Sequence, residues 1–160
     1  MADLVRVKTA QNDPEAGIAT ALRELRAGRK SSHWIWYVFP QIAGLGQSPV
    51  AQRFAIKDAE EAKAYVRDPL LGDRLIEATE AVHAHLAKAS PVRIETLMGS
   101  RIDALKLVSS MTLFARVGRK VQQQTGEPRH AHLADLAESV LAAARQQGFH
   151  SCRHTERALE

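Results

Sequence analysis

The sequence has almost no cysteine, the residue that cross-links many small proteins whose hydrophobic core is too small to stabilise them. Of its 160 residues one is cysteine, Cys152, so no disulfide can form within the chain. A chain of this length buries enough surface to fold as one domain without a disulfide or a structural metal. The single thiol also favours a reducing compartment. We therefore expect one globular domain that needs no covalent cross-link.

Long apolar runs are lacking as well. Residues 1–10 contain no apolar stretch of the roughly 7–15 residues found in a secretory signal. No segment approaches the roughly 20 apolar residues that a transmembrane helix needs. The net charge is +4 at pH 7, which permits anionic partners without requiring them. We therefore expect a cytoplasmic protein that has no membrane partner.

The basic residues are dispersed, and two groups are denser than the rest. Cations favour the C-terminal ends of helices, so we interpret both groups as solvated helix ends. A nucleic-acid-binding surface is the alternative interpretation. The two groups comprise Arg23, Arg26, Arg29 and Lys30, and then Arg116, Arg119 and Lys120.

Signals for the ends of helices are frequent, and they predict an all-α domain of about six or seven short-to-medium helices. A capping residue, a proline or both precede each predicted helix. The helix that follows Ser100 is expected to end near Ala115, and a single helical domain is expected over residues 1–148. Residues 149–160 are predicted to form a mobile tail. The predicted starts are Asp13-Pro14, Ser48-Pro49, Asp58, Asp68-Pro69, Ser90-Pro91, Ser100 and Pro128.

Aromatic residues make up 5% of the chain, yet both tryptophans lie in the short segment 33–39. Its aromatic and β-branched content suits a strand. A single strand would have no partner in this chain, so we predict a buried helix or turn before Pro40. Large aromatic side chains dominate small cores, and a core role for Trp34, Trp36 and Phe39 is the simpler interpretation.

Four segments together resemble the uncharacterised bacterial family catalogued as domain of unknown function 1810. They are residues 26–41, 44–54, 61–75 and 99–115, and the resemblance extends over residues 4–136. It implies a compact, mainly helical fold and no established activity. The chain differs from the family near its start, where Val7 and Ala10 stand in place of an aromatic residue. It differs again before Gly126, where glutamines and Thr125 replace an aromatic pair.

Polar side chains in the same segments suggest a ligand site. The helix after Ser100 carries Lys106 with two serines three and four residues further on, so the three share one region of its surface. An ammonium group and hydroxyls suit a phosphate or a carboxylate. A plain ion pair between Lys106 and Asp103 is the alternative. The predicted ligand residues are His33, Trp34, Trp36, Gln41, Arg53, Lys106, Ser109 and Ser110.

A glycine-containing loop, residues 44–49, leads into the helix that carries Arg53. Backbone N–H groups at such a helix start can bind an anion. The loop lacks the spacing of a Walker or dinucleotide-binding motif, and a tight turn with an N-cap is the interpretation we prefer. We expect the loop to lie at the rim of a ligand pocket between the aromatic segment and the helix that carries Lys106.

The histidines do not predict a metal site. His83 and His85, like His130 and His132, are two residues apart and diverge on a helix. His150, Cys152 and His154 would supply at most three ligands, one short of a structural zinc site. We therefore expect no metal and no other cofactor.

The favoured function is binding of a small anionic, nucleotide-derived ligand, whose planar part would meet Trp34 or Trp36. If the protein also processes this ligand, His33 is the one residue we would assign as general acid or base. Two alternatives stay open: a basic helical module that binds nucleic acid, and a protein-interaction domain without a small-molecule site.

Overall fold

The computed structural model describes residues 4–160 of the chain. These residues form ten α-helices joined by loops, and they contain no β-strand. The all-α prediction is confirmed, but the predicted number of six or seven helices was too low. Two short helices that the sequence analysis did not identify, α1 and α10, have too few turns to show an apolar periodicity, and α3 was predicted only as a buried helix or turn. The helices are α1 (Val5–Gln11), α2 (Ile18–Arg26), α3 (Ile35–Val38), α4 (Pro49–Phe54), α5 (Ala59–Arg67), α6 (Pro69–Leu86), α7 (Ile94–Leu97), α8 (Arg101–Thr125), α9 (Pro128–Gln146) and α10 (Arg153–Ala158).

The long helix α8 lies at the centre of the fold and packs against α5, α7, α9 and α10. It continues ten residues beyond Ala115, where we predicted its end, and stops at Gly126 in the left-handed region with φ of 71°. Val117 and Val121, one turn apart, keep the added part of the helix buried on one side. A Cβ at Gly118 would lie 3.6 Å from Ala134, so α8 and α9 approach each other closely there.

Most predicted helix starts are confirmed by capping hydrogen bonds. The side chains of Ser48, Asp68 and Ser100 each accept a backbone N–H from the first turn of α4, α6 and α8, respectively. The start predicted at Asp13 was wrong. Its carboxylate accepts the backbone N–H groups of the next residues within a turn, and α2 begins only at Ile18.

The aromatic segment forms the short helix α3 and continues into the core, as the prediction of a buried helix or turn required. Trp34 and Phe39 are fully buried, and their ring centroids are 6.2 Å apart. A single parallel β-bridge then joins Ile42 to Ile56 and closes the excursion that contains the glycine loop and α4. This excursion is therefore anchored at both ends.

Residues 149–160, which we predict to be mobile, contact the rest of the domain. The backbone N–H of Cys152 donates to Thr112 Oγ1 on α8 at 3.1 Å, and Glu156 accepts from Arg116 at 2.8 Å. Phe149 and Thr155 are buried. Few apolar residues stand in this segment, and polar contacts between distant parts of the chain do much of the docking. Sequence composition alone does not reveal such contacts.

Candidate functional site

The loop between α2 and α3 is organised by the carboxylate of Glu24. It accepts the backbone N–H groups of Ser31 and Ser32 at 2.8 and 2.9 Å, the Ser32 hydroxyl at 2.5 Å and the Trp34 indole N–H at 2.9 Å. Burial by itself would raise the pKa of Glu24, but these hydrogen bonds to the charged form outweigh it and lower the pKa to about 2. Trp34 is therefore fixed in the core by a buried carboxylate.

Two lysines meet one carboxylate at the start of α8. Lys30 Nζ lies 2.7 Å from Asp103 Oδ2, and Lys106 Nζ lies 3.6 Å from Asp103 Oδ1. The Lys30 side chain is only 5% exposed, and its ammonium also donates to the Ser32 carbonyl at 2.6 Å. Lys106 Nζ lies 4.8 Å from the centroid of the Trp36 ring. The ion pair considered for Lys106 is therefore present, and it includes a second, buried lysine.

The structure brings Trp36 and Lys106 together, but it buries three of the other residues predicted to bind the ligand. Trp34 and Ser110 are fully buried, which leaves neither exposed to a ligand in solvent. Ser109 is also buried, and its hydroxyl donates to the Leu105 carbonyl at 3.1 Å. The hydroxyl of the neighbouring serine, Ser110 Oγ, has no hydrogen-bond partner within residues 4–160.

The remaining predicted residues lie nearer the surface. His33 is exposed, and Arg53, also exposed, has its guanidinium carbon 5.3 Å from the centroid of the Phe54 ring. Gln41 and Trp36 help to line a cavity of about 10 Å³ beside the glycine loop. A cavity of that volume accommodates about one water molecule. This cavity, as residues 4–160 form it, is therefore far too small for a nucleotide.

A much larger concavity lies elsewhere, between α8, α9 and the C-terminal segment. Its volume is about 490 Å³, within the range of roughly 300–1,000 Å³ typical of small-molecule sites. We call it the basic groove. Its charged lining consists of four basic side chains and two acidic ones: Arg116, Arg119, Lys120, Arg145, Glu138 and Glu156.

The two arginines of α8 in the basic groove already have acidic partners. Arg119 donates to Asp135 at 2.7 Å and to Glu138 at 3.1 Å, and these hydrogen bonds raise the pKa of its guanidinium further above its ordinary value. Arg116 is paired with Glu156 at 2.8 Å. The acids of the lining are thus engaged by these two arginines.

Lys120 and Arg145 differ from these arginines. Within the described part of the chain, neither side chain has a carboxylate at ion-pair distance. They stand on α8 and α9, on two walls of the same groove, and both are exposed. The basic groove therefore carries positive charge that the protein does not neutralise.

Sequence reasoning missed the basic groove although its signal was present. Arg116, Arg119, Lys120 and Gln123 stand at positions i, i+3, i+4 and i+7, which share one face of a continuous helix. We had predicted that the helix ends at Ala115 and had interpreted this basic group as a solvated helix end. Extending α8 would have placed all four side chains on one surface.

Cys152 lies beside the basic groove, one residue after Ser151 in its lining. Burial by itself would raise the pKa of its thiol, but the neighbouring Ser109 and Thr155 side chains and backbone N–H groups favour the thiolate and lower the pKa overall. Within residues 4–160, no three His, Cys, Asp or Glu side chains are grouped so that they could hold a metal ion.

Comparison with known proteins defines the family. Residues 1–128 match the family described as "Protein of unknown function (DUF1810)", and the chain belongs to this family. A similar solved structure is the crystal structure of the conserved hypothetical protein Rv1873 from Mycobacterium tuberculosis. It shares 40% sequence identity and a TM-score of 0.73, over 98% of this chain and 96% of that one. No curated protein matches the chain.

These comparisons support the fold and assign no activity. Among residues 4–160, none of the helices combines the length and apolar character needed to cross a lipid bilayer. The family match ends at residue 128, so it includes the α8 wall of the basic groove and leaves out Arg145 and Glu156. The comparisons therefore assign no ligand to the basic groove.

Proposed function

We propose that the protein binds a small anionic ligand in the basic groove. The observation that carries this proposal is the pair Lys120 and Arg145, two exposed cations that line one concavity from α8 and α9 and have no carboxylate partner within residues 4–160. An anion between them would gain charge-assisted hydrogen bonds, which are about twice as strong as neutral ones. Such a ligand would compensate the charge that the fold leaves unpaired.

The lining of the groove also indicates how the ligand would be recognised. No aromatic side chain of residues 4–160 lines it, so stacking of a planar ring does not contribute. Ser151 and Gln123 add neutral polar groups, and Leu141 and Ala115 add aliphatic surface. The ligand that fits is a phosphate- or carboxylate-bearing molecule bound through charge and hydrogen bonds. This proposal keeps the anionic ligand expected from the sequence and drops its planar part.

The cluster around Lys106 supports this proposal less well. Its two lysines share the Asp103 carboxylate, and the cavity beside Trp36 measures about 10 Å³. A ligand there would have to compete with an internal carboxylate, whereas within residues 4–160 the acids of the basic groove are paired with Arg116 and Arg119 and neither Lys120 nor Arg145 has a carboxylate partner. His33 does not line the groove, so the proposal is one of binding and assigns no catalytic step.

Replacing Lys120 and Arg145 together by methionine should abolish the stabilisation of the protein by phosphate. For the wild type, phosphate at a hundredfold excess over its dissociation constant should stabilise the fold by about 2.7 kcal/mol. The measurement is thermal unfolding with phosphate or with sodium chloride at the same ionic strength. Because both side chains are exposed, the double substitution should change stability without phosphate by at most about 0.5 kcal/mol.

The matched control replaces Arg23 and Arg29, two exposed cations of the other basic group, by methionine. It removes the same net charge and should leave the phosphate effect intact. An equal loss in both double variants would mean that phosphate responds only to the overall charge. That result, or a wild type that phosphate does not stabilise beyond sodium chloride, would contradict the proposal.

A further inference from the structure

A second concavity lies on the other side of Arg116 and Lys120. Its volume is about 120 Å³, and it is lined by Ala59, Lys63, Arg116, Val117, Lys120 and Leu159. Arg116 and Lys120 also line the basic groove. Since they stand one helical turn apart on α8, they form a cationic ridge between the two concavities.

Three of the six residues that line the second concavity are aliphatic. Val117 is almost completely buried at its base, and Leu159 of the C-terminal segment is half-buried beside it. The ammonium of Lys63, which also lines the concavity, lies 3.2 Å from Glu60, and its side chain is only 15% exposed. The concavity thus combines an aliphatic lining with the cations of the ridge.

From this arrangement we infer that the second concavity is a subsite for a short aliphatic group of the same anionic ligand. The inference rests on the proposed function, because the anionic group would occupy the ridge and the basic groove. The ligand class is then an anionic ester or acid with a short alkyl chain, such as an alkyl phosphate. Lys120 would hold the anionic group together with Arg145 of the basic groove, and Val117 and Leu159 would contact the chain.

The volume limits the size of this aliphatic group. An apolar cavity of about 150 Å³ is known to hold benzene, and this concavity of about 120 Å³ is smaller. A nucleobase or a long acyl chain therefore exceeds it, while a chain of a few carbons fits. The subsite would thus select by chain length as well as by charge.

The test is a calorimetric titration of the full chain with methyl, ethyl, propyl, butyl and octyl phosphate. Their headgroups carry the same charge, so differences in affinity report the chain alone. Burial of each added methylene should lower the dissociation constant about fourfold up to propyl or butyl phosphate. Octyl phosphate should gain nothing over butyl phosphate, because the additional carbons remain outside.

A substitution at Leu159 tests whether the alkyl chain binds in the second concavity. Leu159→Ser should weaken butyl phosphate about tenfold and leave methyl phosphate unchanged. The control is Leu105→Ser, which alters an exposed leucine near the start of the same helix α8 and should change neither affinity. The chain-length series on the wild type tests the inference even if Leu159→Ser impairs folding.

The outcomes separate the two proposals. If none of the phosphates binds, the proposed function fails, and the second subsite fails with it. If all bind with the same dissociation constant, the result supports anion binding in the basic groove and contradicts an aliphatic subsite in the second concavity. A continued increase in affinity up to octyl phosphate would also overturn the subsite, because a cavity of this size cannot hold the longer chain.

Discussion

Replacing Asp103 by alanine should lower the free energy of unfolding by about 3–5 kcal/mol, the usual cost of leaving a buried charge without its partner. Lys30, only 5% exposed, would lose a carboxylate at 2.7 Å and keep only the Ser32 carbonyl and the face of the Trp34 ring. Lys106 would lose its contact at 3.6 Å. The change also removes an acidic residue from the first turn of α8, where it interacts favourably with the helix dipole.

Urea unfolding followed by circular dichroism measures this effect. The matched control is Asp73→Ala, which breaks an ion pair with Arg129 in which the aspartate is 67% exposed, and it should cost at most about 1 kcal/mol. Removing both charges with Lys30→Met and Asp103→Leu should recover much of the loss. A cost below about 1 kcal/mol for Asp103→Ala would show that the cluster does not stabilise the fold.

The second large effect is expected for Glu24→Gln, and it should depend on pH. The carboxylate accepts four hydrogen bonds that fix residues 31–34, and its pKa is lowered to about 2 from an ordinary value of 4.5. At about 1.4 kcal/mol per unit this corresponds to about 3 kcal/mol of stability. We expect glutamine to cost about 2–3 kcal/mol at pH 7, because it carries no charge and keeps a single acceptor oxygen.

The direction of the pH dependence follows from the lowered pKa of Glu24. The contribution of Glu24 is fully present above its unfolded-state pKa, and it is lost as the pH falls from about 4.5 to about 2. The unfolding free energies of wild type and Glu24→Gln should therefore converge over that interval. The control Glu77→Gln alters a half-exposed partner of Arg26 and should track the wild type at every pH. Parallel curves for wild type and Glu24→Gln would contradict this role.

Much of the helical fold could be predicted because its signals are local. The caps at Ser48, Asp68 and Ser100 act within one turn of the residue that the sequence displays. The error at Asp13 has the same origin, since an aspartate followed by a proline caps a turn as well as a helix. A helix that is too short to show an apolar periodicity, such as α10, has no comparable signal in the sequence.

The candidate site was harder to predict because it depends on contacts between distant residues. That Lys106 would share Asp103 with Lys30, which stands over 70 positions earlier, does not follow from any spacing. Likewise, the carboxylate of Glu156 reaches Arg116 only because the C-terminal segment folds back onto α8. Which cations remain unpaired is therefore a property of the folded chain, and it moved the expected anion site from Lys106 to Lys120 and Arg145.

The central claim, that an anion binds in the basic groove, is tested most directly by mapping the binding of phosphate residue by residue. Nuclear magnetic resonance of the isotope-labelled full chain, titrated with phosphate at constant ionic strength, would report the position of every perturbed amide. We predict saturable shifts concentrated around Arg116–Gln123 of α8, Leu141–Arg145 of α9 and Ser151. Saturable shifts centred on Trp36, Gln41 and Lys106 would contradict the claim, as would shifts that are spread over the whole surface and do not saturate.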